Sequence, residues 1–112
     1  LSRHLEYIDV SLQDYIDNRS LNLKMEKNWQ SLIRVIRILK SDNELSLLLD
    51  FLFTLEEKRQ LSNRYALAQQ MVLAQKSQRE IAKDLGVSIS TVTRCSNALK
   101  LLPDEIKQKF KL

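Results

Sequence analysis

Glycine, proline, cysteine and histidine each occur once in these 112 residues. One glycine leaves no glycine-rich loop to cradle a phosphate. One cysteine, Cys95, excludes an intrachain disulfide and agrees with a reducing, cytoplasmic setting. His4 and Cys95 are far apart in sequence and neither sits in a ligand cluster, so no metal site or cofactor is expected. No serine stands in a nucleophile-elbow pattern, and an enzyme is not expected. The longest greasy stretch, Leu45 to Leu55, is interrupted by Ser46, Asp50 and Thr54. It falls short of a membrane span, and no signal-peptide pattern is present. With so few residues that break helices, the chain is expected to be all-α.

What is present is ordinary in amount and uneven in placement. The chain is 44% hydrophobic and 29% charged, with net charge +4. That mild excess does not by itself establish a nucleic-acid partner. Most of it falls between Ala74 and Lys100, where Lys76, Arg79, Lys83, Arg94 and Lys100 face Glu80 and Asp84, a net +3.

Residues 77–100 within this stretch predict a helix-turn-helix. Ser77 followed by Glu80 is a capping box, and Ile81, Ala82 and Leu85 form an apolar stripe. Gly86 suits the left-handed turn that ends a helix, and Ser88 caps the next one. Ala82 is small where the two helices would cross, and Val92 packs the second on the first. The remaining face of the second helix, with Ser90, Thr91, Thr93, Arg94, Asn97 and Lys100, is polar and cationic, as a major-groove reader requires. The plainer alternative is a helical hairpin with a glycine turn. The joint placement of small residue, glycine and β-branched residue favours DNA binding.

Residues 1–24 read as a partly amphipathic extension (Leu5, Ile8, Leu12, Tyr15, Ile16), loosely tied, with a break expected at Asn18-Arg19-Ser20. Met25 opens the domain proper, residues 25–112, in which Trp29, Leu32, Ile33 and Ile36 follow helical spacing. Ser41-Asp42-Asn43 is a turn and cap signal. Leu45, Leu47, Leu48, Leu49, Phe51, Leu52 and Phe53 make a short helix apolar almost all round. So small a chain does not easily bury such a helix alone, which points to an interlocked homodimer over a compact monomer. Thr54 and Glu57 form a second capping box opening a helix of about five turns. Glu56 and Glu57 are better placed to offset the helix dipole than to act as paired catalytic carboxylates. Pro103 opens a last helix. Its apolar face, Ile106 and Phe110, is expected to close the dimer.

From Trp29 to about Phe110 the sequence resembles the bacterial tryptophan repressor family. The carriers are Trp29-Gln30, Leu52-Phe-Thr-Leu-Glu-Glu-Lys-Arg59, Asn63-Arg64, Ser77-Gln-Arg-Glu-Ile81, Leu85-Gly86 and above all Ile89-Ser-Thr-Val-Thr-Arg-Cys-Ser-Asn-Ala-Leu-Lys100. The resemblance implies an intertwined all-helical homodimer that binds an operator in double-stranded DNA, with L-tryptophan as corepressor. Arg64 and Arg94 match the arginines that sandwich the indole, and Arg94 also reaches the ligand carboxylate. Thr54 matches a threonine near the ligand's polar end. Phe51 and Phe53 fall where the family places leucines whose carbonyls meet the amino group. Guanidinium planes do stack on indole faces, and arginine suits a carboxylate. Without the resemblance, Arg64 and Arg94 would read as solvated helix charges.

For DNA, the resemblance places Arg79, Ile89, Ser90 and Thr93 near bases, and Gln78, Thr91, Asn97 and Lys100 on the backbone. A usual lysine is replaced by Ala82, with Lys83 beside it. In the ligand site Cys95 replaces a glycine packed against the indole, and Ala98 replaces a serine that bonds the ligand amine. Three functions follow: a tryptophan-responsive repressor of tryptophan metabolism genes, a DNA binder indifferent to tryptophan, and a helical protein-interaction module.

Overall fold

The computed structural model describes residues 2–112, and their side chains from Leu12 onward apart from Tyr15. His4, Leu5 and Ile8 therefore lie outside the described side chains, as does Tyr15. The described chain is helical, without strands, and divides into two compact units that meet between Leu48 and Leu49.

The first unit is dominated by α1, Ser2–Ile38. This helix passes through Asn18-Arg19-Ser20 without the expected break. Asparagine and serine are weak helix formers but carry neither the steric clash of proline nor the backbone freedom of glycine. Met25, Asn28, Trp29 and Leu32 line an open groove along one side of α1. After α1, the Glu44 amide donates to Ser41 Oγ (3.1 Å) and the Lys40 amide to Glu44 Oε2 (3.0 Å). This confirms Ser41 as the cap of α2, Asp42–Leu52. The unit boundary cuts α2, none of whose residues is buried. Leu47 and Phe51 in particular are exposed, Phe51 to 84%.

The second unit is built on α3, Leu55–Leu73. Both halves of its capping box are present: Glu57 N–H donates to Thr54 Oγ1 (3.1 Å) and Thr54 N–H to Glu57 Oε1 (2.9 Å). It ends on Ala74, whose N–H donates to the Gln70 carbonyl from a left-handed conformation, φ 52°. Two short helices follow, α4 (Gln78–Leu85) and α5 (Ile89–Leu99), and α3 packs against both. Leu67 of α3, Ile81 and Ala82 of α4 and Val92 of α5 are the buried core. Met71, Leu85, Val87 and Cys95 pack around it.

The chain closes with α6, Asp104–Gln108, and a single 3-10 turn, Lys109–Lys111. Pro103 precedes α6 at the cap position, φ −57° and ψ 145°, one residue earlier than a first-turn proline. Phe110 meets Tyr65 of α3 edge to face, ring centroids 5.5 Å apart. Gln69 Nε2 donates to the Phe110 carbonyl at 3.0 Å. Phe110 thus docks on α3 of its own chain.

Candidate nucleic-acid interface and ligand site

The α4–α5 pair is fixed by local chemistry at three points. Ser77 caps α4 by accepting from the Glu80 amide at 3.2 Å. The second half of the expected capping box is absent, because the Glu80 carboxylate accepts from the Ser77 hydroxyl (3.1 Å) instead of the Ser77 amide. At the other end Gly86 sits at φ 65°. Gly86 N–H donates to the Lys83 carbonyl (3.3 Å) and Val87 N–H to the Ala82 carbonyl (3.0 Å), a Schellman closure. Ser88 then caps α5, its Oγ accepting from Thr91 N–H at 3.1 Å. Ala82 and Val92, 6% and 0% exposed, lie together in the core where α4 packs on α5.

Burying that seam leaves the polar residues outside. Gln78, Arg79, Lys83, Ser90, Thr93, Asn97 and Lys100 are exposed, and Thr91 is half-buried. Ile89 is 51% exposed, which separates it from the core-forming Val92. Ala82, where the resemblance leads one to expect a lysine, is core, whereas Lys83 reaches solvent. Several hydroxyls already have partners. Ser88 Oγ lies 3.0 Å from Ser90 Oγ and 2.8 Å from Thr91 Oγ1. Thr93 donates to the Ile89 carbonyl at 3.0 Å, so toward a base edge it is an acceptor. Lys100 Nζ donates to Asn97 Oδ1 at 3.4 Å.

The residues singled out for a ligand fall on three elements of the second unit. Phe51 is at the end of α2, Phe53 and Thr54 form the link to α3, and Arg64 is on α3. Arg94, Cys95 and Ala98 are on α5, which packs on α3. Arg64, Arg94 and Ala98 are exposed, and Phe53 and Cys95 are half-buried. Among the described residues neither arginine is ion-paired. Thr54 Oγ1 is engaged as the α3 cap. Cys95 packs against the core, and burial pushes its thiol pKa up. It remains a protonated, weakly donating group near neutral pH.

Sequence reasoning counted Lys76 and Asp84 only as charges, yet their side chains form an ion pair of 2.6 Å. No helical periodicity signals it, because Lys76 precedes α4 and its partner is eight residues on. Among the described residues no group of His, Cys, Asp and Glu side chains is placed to hold a metal, and no helix is long and apolar enough to cross a membrane.

Comparison with known proteins gives a consistent result. The family model described as Trp repressor protein matches residues 27–112. A Trp operon repressor homolog of Vibrio campbellii is 36% identical over 85 residues, covering 76% of this chain and 85% of the relative. One from Vibrio parahaemolyticus is 35% identical over 77% of this chain and 84% of its own length. One from Chlamydia trachomatis serovar D is 31% identical, covering 74% and 88%. With the match spanning α2 to α6 and the whole α4–α5 pair, the chain belongs to the Trp repressor protein family.

Proposed function

We propose that this chain is a DNA-binding transcriptional repressor of the cytoplasm, acting as a homodimer on an operator, with L-tryptophan as corepressor and tryptophan metabolism genes as targets. The observation that carries the reading is the α4–α5 pair, a helix-turn-helix whose seam is buried at Ala82 and Val92 while its basic and hydroxyl-bearing residues stay exposed. In this reading α5 enters the major groove. Arg79, Ile89, Ser90 and Thr93 approach bases, and Gln78, Lys83, Thr91, Asn97 and Lys100 approach the phosphate backbone. Phe51, Phe53, Thr54, Arg64, Arg94, Cys95 and Ala98 surround the corepressor, with the arginine planes on the indole faces. Residues 1–24 are an extension ahead of the repressor domain, residues 25–112, a reading supported by the family match over residues 27–112.

One observation favours a second reading, in which the DNA is bound without tryptophan. Ala98 offers no acceptor to a ligand amine, and Cys95 fills space beside the core as a protonated thiol. A lost hydrogen bond to a charged amine is worth about 1.5–3 kcal/mol, roughly ten- to a hundredfold in affinity.

The deciding experiment is operator binding with and without L-tryptophan at fixed salt. Tighter binding with the amino acid supports the first reading, and equal binding the second. Failure to bind any duplex in dilute buffer sinks both and leaves a protein-interaction module. Phosphate-driven binding must also weaken steeply as salt rises.

A further inference from the structure

The link between α3 and α4 is held in a conformation that the chain would not choose unaided. Ala74 takes a left-handed conformation, which is disfavoured for any residue bearing a Cβ. Two residues later Lys76 Nζ lies 2.6 Å from Asp84 Oδ2, tying the link to the last turn of α4. Asp84 is badly placed for its own helix, because a negative charge in the last turn opposes the dipole. Its placement is accounted for by Lys76. The ammonium of Lys76 is correspondingly held above its ordinary pKa, first by the hydrogen bond to Asp84 and then by that carboxylate's charge.

We propose that Lys76 and Asp84 are positioning residues for DNA recognition: their ion pair is a strap that fixes α4, and with it α5, relative to α3. The inference rests on the reading of α4–α5 as the DNA-binding pair. It runs against simple charge counting. Removing the Asp84 charge makes this segment more cationic and should tighten binding to phosphates if only net charge matters. If the strap matters, the same change weakens binding. Lys76, engaged with Asp84, contributes by geometry and not as a phosphate contact.

The experiment compares wild-type chain with K76Q, D84N and the exchanged pair K76D/D84K on one operator duplex at one salt concentration. An exposed ion pair sets the expected size at about two- to fivefold weaker binding for each single variant. The exchanged pair, with net charge conserved, should return to near the wild-type value. Amide exchange of residues 74–78 should speed up by a similar factor in the single variants and recover in the exchanged pair. D84N binding as tightly as wild type or more tightly overturns the strap, as does an exchanged pair no better than the single variants. Unchanged amide exchange overturns it too, independently of DNA. Absence of duplex binding by the wild-type chain would instead remove the DNA reading, and the positioning role with it.

Discussion

Among the described residues two hold the left-handed backbone conformation at helix ends, and they bear opposite predictions. Gly86, at φ 65°, has open space where a Cβ would stand. Gly86→Ala therefore meets no clash and loses only backbone preference, about 1 kcal/mol in urea unfolding. Ala74, at φ 52°, already carries that cost. Ala74→Gly should raise stability by up to about 1 kcal/mol in the same measurement, less the added freedom of the unfolded chain. Opposite signs for the two substitutions are required, and a shared sign would contradict one of the two assignments. In the proposed ligand site, Ala98→Ser adds a hydroxyl acceptor on α5. Titration calorimetry should find L-tryptophan bound at least about tenfold more tightly by that variant than by wild type. No gain would place the ligand amine elsewhere.

Elements begin and end where local chemistry dictates, and those ends were the most legible part of the sequence. Thr54, Ser77, Gly86 and Ser88 act where they stand, because a cap needs only its few immediate neighbours in sequence. The family resemblance supplied the ligand residues, since Arg64 and Arg94 alone are unremarkable helix charges. What was not legible depended on distant or non-periodic partners. Phe110 meets Tyr65 across 45 positions of sequence, and Lys76 reaches Asp84 from outside a helix. Asn18 and Ser20, weak helix formers, suggest a break in the sequence, but a helix without proline or glycine runs through them. The α3 cap also carries a pH dependence. The Thr54 amide, then its side chain, holds the Glu57 carboxyl below the ordinary value of 4.5. A lowered folded-state pKa means that this contribution is present above 4.5 and is lost as pH falls through the folded value. An NMR titration of Glu57 should show its midpoint below 4.5. Glu57→Gln should flatten that part of the acid-unfolding profile, and a midpoint at or above the ordinary value would contradict the cap.

At the scale of the whole molecule, the apolar surface left open is large for the core that is closed. Among the described residues only Leu67, Ile81, Ala82 and Val92 are buried hydrophobics, and all four belong to the second unit. Met25, Trp29 and Ile38 of α1 and Leu47, Phe51 and Leu52 of α2 stand exposed. Each unit thus leaves large apolar side chains open to solvent, as surfaces that associate with a partner do. A second copy is the partner consistent with membership of this family and with a reading pair that needs a twin to meet successive grooves. The most direct test is native mass spectrometry of the chain alone and mixed with a palindromic operator duplex at low ionic strength. The dimeric DNA-binding reading predicts free protein at twice 13.1 kDa and a complex of two chains per duplex. Free protein at 13.1 kDa, with no protein–DNA complex at any ratio, would contradict it.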